Sequence, residues 1–490
     1  MKHWKNAGRC AGFLAILLAS LLLINSVLEG KYILRNSKWP TTSTYRQFYQ
    51  MEPNSVDVLF LGSSLVVNAF APQEIYNDYG IRSYNLASEQ QSIFLSYCWL
   101  REALRFQSPS VVVLDTKFMW NVHPEDVINT SEALTRKCLD PMKWSPVKCE
   151  LIHTLCTLDP SQSELSYYLT NLRYHSRWTS LAEYDLRPSM VSHAELKGFG
   201  PLAELVESGY EPFESRDTTV TAELLPLMRE YMEKIAALCR ESGIRLVLIS
   251  LPGNDMSDEA NNSYRLLAES CGADYYNLCA REWYEQIGIV PPENIVWHSN
   301  VWGARKLSRF MGGLLQERYG LAAVTDAQYE RTKPDYDHVL HSADLVCITD
   351  PAEYLRALSE PRYAVFFAAQ SFAAGPVLTN GENLEALRAL GLSCAFLDHP
   401  CNSYAAAVID GRVVQEASSP DILRFVEPFR GGSSNYTLES RGIGLASGST
   451  IQIDGEACSR AEPGLNIAVY DFFTEHVLDK VTLREGMLYR

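Results

Sequence analysis

Val56–Asn68, VDVLFLGSSLVVN, is the stretch that decides the fold of this chain. Its first part, Val58–Leu61, is a short apolar run and predicts a buried strand. Gly62, Ser63 and Ser64 follow, and apolar residues then resume at once. Small residues at the carboxyl end of a parallel strand let the backbone turn sharply into the crevice where α/β sheets bind ligands. Ser64 is therefore a candidate nucleophile; the alternative is an ordinary turn in which Ser64 caps the next helix.

An alternation of strands and helices continues on the C-terminal side of this stretch. Short apolar runs at 84–86, 110–114, 245–250 and 274–278 predict further strands, and segments with helical spacing separate them. The run at 110–114, SVVVL, is nearly all β-branched, as expected at the centre of a parallel sheet. We therefore predict a doubly wound α/β domain over residues 51–325. A long, mostly helical insertion at about 120–223 interrupts the alternation, and such insertions normally cap or shape a site.

The N-terminal segment predicts a membrane anchor. Three basic residues in the first ten precede Ala11–Leu28, an uncharged stretch of mostly apolar residues. Its length approaches that of a transmembrane helix and exceeds the apolar core of most signal peptides. We predict an uncleaved signal-anchor at 11–28, a cytoplasmic tail at 1–10 and an extracytoplasmic location for everything after it, beginning with a stalk at 29–50. A cleaved signal peptide is the alternative.

Composition limits the classes of function. The 490 residues suggest two or three domains, and a hydrophobic share of 47% predicts a sizeable core. The formal net charge of −16 argues against nucleic acid as a partner, because nucleic-acid binders carry basic patches. The 12 cysteines show no metal-type spacing. Cys149 with Cys156, or Cys394 with Cys401, could close a loop, although small core residues are the simpler interpretation. We expect no cofactor and no metal.

A second stretch, Trp297–Ala304 (WHSNVWGA), supplies what Ser64 needs. A serine hydroxyl becomes a useful nucleophile beside a general base, and a neutral imidazole is the usual one. Of the ten histidines, His298 has the most suggestive setting, in a loop directly before a helix near the end of the predicted α/β domain. We therefore predict that Ser64 and His298 lie within hydrogen-bond reach at the carboxyl edge of the sheet.

These motifs resemble the blocks of the SGNH/GDSL hydrolase family of serine esterases. Gly62-Ser63-Ser64 stands where that family has Gly-Asp-Ser, and His298-Ser299-Asn300 with Gly303-Ala304 is similar to its last block. Tyr84–Gln91 and Ser110–Thr116 resemble its second and third blocks. The resemblance covers roughly residues 50–325 and suggests a membrane-anchored bacterial branch of the family. It implies a flavodoxin-like parallel sheet, Ser64 as nucleophile and His298 as general base.

The chain departs from the family pattern at the position of the catalytic acid. Family members usually carry an acid three residues before the histidine, and that position holds Ile295 here. An isoleucine cannot hold the imidazole tautomer or stabilise an imidazolium. Glu293, Asp115, Asp255 or a backbone carbonyl could orient His298 instead.

The oxyanion donors of the family are also replaced. The glycine of the second block corresponds to Gln90, and Asp115-Thr116-Lys117 follows the third strand in place of Gly-x-Asn-Asp. The remaining candidate donors are the side chains of Asn85, Gln90 and Gln91 and the backbone N–H of Ser64.

Two further groups of polar residues could each be a binding site or ordinary protein surface. Arg173–Trp178 in the insertion concentrates cationic, aromatic and hydroxyl groups, so His175 and Arg177 could line a sugar or anion site. The alternative is a helix surface packed through its aromatic residues. Asp255 and Asp258-Glu259 follow a strand and could suggest a metal, but a solvated loop is the simpler interpretation.

The C-terminal part changes texture. We predict a linker at 326–358 and a β-rich domain at 359–490, because Asp410-Gly411 and Asp454-Gly455 each separate apolar runs as hairpin turns do. Tyr363–Ala368, the first of these turns and Ile451–Asp471 resemble the interleukin-like EMT-inducer type of β-sandwich. That resemblance covers roughly 360–490 and implies a carbohydrate- or protein-binding module.

Together these features predict a single-pass surface protein whose α/β domain is a serine esterase or acyltransferase. The expected substrates are O-acyl groups of an acylated cell-surface polysaccharide or a small acyl ester. The alternative is a catalytically degenerate adaptor in which both domains bind glycan or an envelope protein. The residue at 295 favours the adaptor, and retention of both Ser64 and His298 favours the enzyme.

Overall fold

The computed structural model describes residues 2–28, 41–117, 119, 131–181, 185, 196–205, 210–254, 256–295, 297–370, 380–446 and 448–490. The chain divides into two compact units, one reaching to Tyr336 and one running from Asp337 to Arg490. Helix α1 (Lys2–Leu28) opens the first unit. Its stretch Gly8–Leu28 is long and apolar enough to cross a membrane.

A five-stranded parallel sheet forms the centre of the first unit, in the order β2-β1-β3-β4-β5. Nearly all of its residues are buried, because helices cover both faces and the strands carry the β-branched and apolar runs seen in the sequence. The α/β prediction is confirmed at this level. The strands are β1 (Val58–Gly62), β2 (Ser83–Ala87), β3 (Val111–Asp115), β4 (Arg245–Ser250) and β5 (Asp274–Asn277).

Twelve further helices of the first unit are described. They are α2 (Thr41–Phe48), α3 (Ser64–Ala69), α4 (Pro72–Tyr79), α5 (Ile93–Ala103), α6 (Glu132–Leu139), α7 (Pro146–Leu158), α8 (Glu164–Tyr168), α9 (Asn171–Tyr174), α10 (Pro226–Glu241), α11 (Asp258–Cys271), α12 (Arg281–Ile287) and α13 (Val301–Tyr319). Helices α6 to α9 belong to the predicted insertion. A short hairpin, β6 (Asn294–Ile295) with β7 (His298–Ser299), precedes α13.

Alternate residues of each strand point to opposite faces of the sheet and so feed two cores. Leu59 and Leu61 belong to the core that includes Trp99 of α5. Val58 and Phe60 belong to the core that includes Leu307 of α13. The two cores hold β1 rigidly from both sides, which fixes the position of the turn that follows it.

The predicted stalk is wrong from residue 41 onward. Tyr45 and Phe48 of α2 are fully buried in the core of the first unit, and the Tyr45 ring stacks on Trp99 with centroids 4.4 Å apart. The polar composition of the segment hides an aromatic face at positions 45, 48 and 49, which is the spacing of one helix side. Residues 29–40 lie outside the described residues.

The predicted linker is mostly helical. Helices α14 (Ala327–Leu345) and α15 (Pro351–Ala357) occupy most of 326–358. Tyr354 and Leu355 are buried in the core of the second unit, so this segment is part of a domain and not a spacer. All twelve cysteines of the chain are free thiols in the structure, so neither candidate pair is joined.

The second unit is built on a curled ten-stranded sheet, which confirms the prediction of a β-rich domain. Two of its hairpins turn at Asp410-Gly411 and Asp454-Gly455, as predicted. Besides α15, the second unit contains the helix α16 (Gly381–Ala389). The strands are β8 (Tyr363–Gln370), β9 (Ser403–Ile409), β10 (Arg412–Ser419), β11 (Leu423–Phe429), β12 (Ser434–Arg441), β13 (Gly448–Ile453), β14 (Glu456–Ala457), β15 (Gly464–Asp471), β16 (His476–Arg484) and β17 (Met487–Tyr489).

Candidate active site

Ser64 and His298 meet directly. The Ser64 Oγ lies 2.9 Å from the His298 Nε2, although the two residues are 234 positions apart in the sequence. Ser64 is the first residue of α3 and follows the carboxyl end of β1. β1 lies between β2 and β3, where the strand order reverses, and α/β sheets bind ligands in the crevice at such a point. The predicted contact is therefore present, at the predicted edge of the sheet.

The three small residues after β1 have separate tasks. Ser63, not Ser64, caps α3, because its Oγ accepts a hydrogen bond from the Leu65 N–H at 3.2 Å. The Ser63 hydroxyl also donates to the Asp115 Oδ2 at 2.5 Å. Gly62 passes so close to β3 that a Cβ there would lie 2.4 Å from the Asp115 Cβ. This division leaves the Ser64 hydroxyl for His298.

The hairpin and the start of α13 hold His298. His298 pairs with Ile295 across the antiparallel β6–β7 hairpin. Asn300 caps α13 by accepting from the Gly303 N–H at 3.1 Å, and its side-chain amide donates to the Pro292 carbonyl at 2.8 Å. A Cβ at Gly303 would lie 2.6 Å from the Glu293 carbonyl oxygen. Asn300 and Gly303 therefore shape the loop that carries the histidine.

A segment at the end of the insertion, residues 196–205, ties the two halves of the site together. The Gly200 N–H donates to the Val67 carbonyl of α3 at 2.8 Å. The Val301 N–H at the start of α13 donates to the Leu202 carbonyl, also at 2.8 Å. We call residues 196–205 the clamp segment. It bridges the helix that begins at Ser64 and the helix that follows His298.

His298 is held neutral. Burial, followed by the positive charge of Lys117, lowers the pKa of His298 to about 4. The Lys117 Nζ lies 5.3 Å from the ring centroid of Trp297, which is half exposed beside the histidine. At neutral pH the imidazole is therefore uncharged. In the tautomer protonated at Nδ1, its Nε2 accepts the hydrogen bond that the Ser64 hydroxyl donates.

Two of the three predicted orienting acids have other partners. The Glu293 Oε2 accepts from the Lys306 Nζ at 2.7 Å and from the Val290 N–H at 3.0 Å. The Asp115 carboxylate accepts from Ser63 and from the Lys117 N–H, and burial raises its pKa. Neither carboxylate contacts His298, which corrects the prediction for both. The third, Asp255, lies outside the described residues and stays a prediction.

Two of the predicted oxyanion donors are also engaged elsewhere. The Asn85 Nδ2 donates to the Phe70 carbonyl at 2.7 Å, within the interior of the unit. The Gln91 Nε2 donates to the Leu86 carbonyl at 3.0 Å and to the Ser96 Oγ at 3.1 Å. These amides hold the β2 edge, and the prediction that they serve an oxyanion is corrected.

Gln90 and the Ser64 backbone N–H follow the carboxyl ends of β2 and β1. Gln90 is exposed at the turn after β2, with φ of 51°. The Ser64 N–H lies in the first turn of α3, where a helix has no carbonyl of its own to accept it. The backbone N–H of Ser64 is therefore the oxyanion donor that its position supports best.

Arg177, His175 and Asp258 each have partners other than the Ser64–His298 pair. Arg177 donates to the carboxylate of Asp185 and to the carbonyl of Leu28, each at 2.7 Å. His175 is exposed, with its Nδ1 3.0 Å from the Leu172 carbonyl. Their assignment to substrate binding is not supported by these contacts.

Asp258, part of the suggested metal site, is hydrogen-bonded within a surface turn. Its carboxylate accepts hydrogen bonds from Ser215 and from the backbone N–H groups of Arg216 and Asp217. In the described ranges, no three His, Cys, Asp or Glu side chains are grouped as a metal site requires. Asp258 therefore holds a surface turn, and Asp255, the other aspartate of the suggestion, lies outside the described residues.

Sequence reasoning missed two parts of the site. Lys117 was one of three residues noted after β3, but the sequence does not reveal that its charge reaches His298. The clamp segment has no regular pattern, although its paired glycines at 198 and 200 could have indicated a close backbone approach. Comparison with known proteins adds no further guide, because no family model and no curated protein matches the chain.

Proposed function

We propose that the first unit is a serine esterase or O-acyltransferase of SGNH type. The observation that carries the proposal is the 2.9 Å contact between the Ser64 Oγ and the Nε2 of a neutral His298 at the carboxyl edge of the sheet. A nucleophile within hydrogen-bond reach of its base is the arrangement that covalent acyl transfer needs. The strand order 2-1-3-4-5, which is that of flavodoxin-like sheets, supports the proposed family.

The reaction proceeds in two steps. The Ser64 Oγ attacks the ester carbonyl carbon while its proton passes to the His298 Nε2. The C–O bond to the leaving alcohol then breaks, and the alcohol takes that proton from His298. Water or a sugar hydroxyl next attacks the acyl-Ser64 carbonyl, gives its proton to His298 and releases the acid or the transferred ester, with the proton returned to Ser64.

We propose that the positive charge of Lys117 also assists catalysis. Its ammonium already acts on the imidazole, because it lowers the pKa of His298. The same charge favours the negative tetrahedral intermediate, together with the Ser64 N–H. This arrangement replaces the side-chain amides that the sequence suggested. The cost is that an imidazolium forms less readily beside Lys117, so catalysis without a carboxylate at position 295 is slow.

The substrate class follows from location. One helix is long and apolar enough to cross a membrane, and its basic N-terminal flank favours a cytoplasmic tail with both units outside. An extracytoplasmic esterase anchored in this way meets acylated surface polysaccharide. The second unit, with its resemblance to a β-sandwich binding module, would hold the glycan or an envelope protein.

Hydrolysis of a small activated acyl ester by the detergent-purified full chain tests the proposal. Wild type should turn over slowly and accumulate an acyl adduct on Ser64, and Ser64→Ala should abolish both. Ser299→Ala is the matched control, because this neighbour of His298 has a buried hydroxyl without a hydrogen-bond partner among the described residues. It should retain activity. Turnover unchanged by Ser64→Ala would refute the nucleophile.

The second candidate function is a binding-only surface adaptor. The observation that favours it is the pairing of His298 with Ile295, which puts no carboxylate across the hairpin. In this case the Ser64–His298 pair would be retained as part of a glycan-binding crevice. An absence of both turnover and acyl adduct in folded wild type, with retained glycan binding, would support the adaptor.

A further inference from the structure

The C-terminal end of α1 is fastened to the helical insertion. The Asn25 Oδ1 accepts hydrogen bonds from the Thr170 hydroxyl and from the Asn171 N–H, the latter at 3.1 Å. The Leu28 carbonyl accepts from the Arg177 Nη1 at 2.7 Å. Leu28 is buried, whereas the side chains of residues 8–24 are exposed along the helix. The insertion therefore contacts α1 just beyond the end of the exposed apolar stretch of that helix.

The same part of the insertion exposes an unusual number of large apolar side chains. We call this set the apolar patch, and the exposed fractions within it run from 40% for Leu181 to 70% for Trp178. Among its helices, α8 buries only Tyr167, and no side chain is buried in α9 or in the 3-10 helix His175–Ser180. The members are Leu165, Tyr168, Leu169, Leu172, Trp178 and Leu181.

We propose that the apolar patch lies in the outer interface of the bilayer that α1 crosses, so that the first unit rests on the membrane and not on a free tether. A contiguous apolar surface on a soluble domain marks an interaction site. The segments that carry this patch are hydrogen-bonded to the end of the membrane helix through Asn171 and Arg177, which selects lipid as its occupant. Its aromatic members suit the headgroup level, where Trp and Tyr are enriched.

Charge around the apolar patch agrees with a lipid surface. Arg173 lies between Leu172 and the His175–Ser180 helix and is about half exposed, with its Nε 3.0 Å from a Glu132 carboxylate oxygen. Trp144, which is 55% exposed, stacks on Tyr168 with centroids 5.6 Å apart and so extends the exposed aromatic surface. An exposed arginine beside exposed apolar and aromatic side chains is typical of helices that lie in the membrane interface.

Fluorescence quenching of the full chain in vesicles tests the proposal. The protein is reconstituted into phosphatidylcholine vesicles and into the same vesicles brominated on the acyl chains. Brominated lipid should quench part of the tryptophan emission, and Trp178→Phe should remove a resolvable share of that quenched part. Trp297→Phe is the matched control, because Trp297 is also exposed but sits beside the catalytic pair. It should leave the quenched part unchanged.

A second measurement separates lipid from protein as the occupant. The double variant Leu169→Ser/Leu172→Ser should make Trp178 less quenched by brominated lipid and more accessible to aqueous iodide. It should keep the wild-type melting temperature, because both leucine side chains are exposed. If Trp178→Phe leaves the lipid-quenched part intact, the proposal is overturned. The proposal is equally overturned if the protein is a dimer in vesicles and the double serine variant makes it monomeric, since a second copy then covers the patch.

Discussion

Ile295 is the direct cross-strand partner of His298 in the β6–β7 hairpin. Directly opposed residues of an antiparallel pair hold their Cβ atoms about 4.5–5.5 Å apart. Position 295 therefore lies beside His298 in the hairpin. A carboxylate introduced at position 295 would therefore start from a backbone position directly opposite the histidine.

Ile295→Asp should accelerate ester hydrolysis. A carboxylate opposite His298 would hold the imidazole tautomer and stabilise the imidazolium, an effect of roughly 10⁴-fold in fully formed triads. Because the neighbours of position 295 are not arranged around an acid, we expect a smaller gain, of about tenfold in kcat on a small acyl ester. Ile295→Asn controls for polarity without charge and should gain little. An equal gain from both substitutions would contradict the electrostatic explanation.

Glu293→Gln should leave kcat nearly unchanged, because the Glu293 carboxylate is bonded to Lys306 and to the Val290 N–H and not to His298. Asp255→Asn should slow the enzyme by an order of magnitude or more if Asp255 acts as the orienting acid. The pair is measured side by side under one condition. A slow Glu293→Gln beside a normal Asp255→Asn would reverse the assignment.

As the pH is lowered, kcat/KM should fall at an unusually low pH. Because His298 has a pKa of about 4, kcat/KM should stay level from about pH 8 to pH 6 and decline only near pH 4 to 5. Stability follows the same group: the unfolded chain takes up the proton first, so stabilisation present above pH 6.5 is lost as the pH falls towards 4. A half-maximal rate near pH 6.5 would contradict this environment for the histidine.

Lys117→Gln should shift that acid limb to higher pH and lower kcat about tenfold or more. Removing the cation raises the pKa of His298, although burial, the larger cause, still keeps it below 6.5. The lower kcat reflects lost stabilisation of the oxyanion. Lys117→Arg keeps the charge and should restore most of both properties. A purely structural lysine would change stability without moving the pH profile.

The local elements and the central motif pair could be predicted from sequence. β4 was predicted at its observed bounds, and the other four strands of the sheet within one residue at each end, because apolar periodicity determines them locally. The Ser64–His298 contact followed from the strand-to-turn chemistry of one motif and the helix-start chemistry of the other. Both signals are written in short stretches of sequence.

The parts that failed depend on tertiary contacts. Helix α2 is polar by composition, and only the core reveals that Tyr45 and Phe48 are inside. Residue type suggested Asn85 and Gln91 as oxyanion donors, but their side-chain amides donate hydrogen bonds to buried backbone carbonyls. The reach of the Lys117 charge and the course of the clamp segment likewise depend on atoms distant in sequence.

The clamp segment gives the last prediction. Gly198 has φ of +85°, and a Cβ there would lie 2.3 Å from the Asn85 carbonyl oxygen, so Gly198→Ala must displace backbone on one side or the other. We expect it to lower the free energy of unfolding by about 2–4 kcal/mol and to reduce kcat even below the melting temperature, because the segment joins α3 to α13. Gly243→Ala is the matched control: its φ is +70°, but no atom lies within 4 Å of the added Cβ, so it should cost only about 1 kcal/mol of backbone strain. Thermal melts and hydrolysis rates of the two variants measure the difference. Equal losses of stability, with no change in kcat for either, would show that the clamp segment does not position Ser64 and His298.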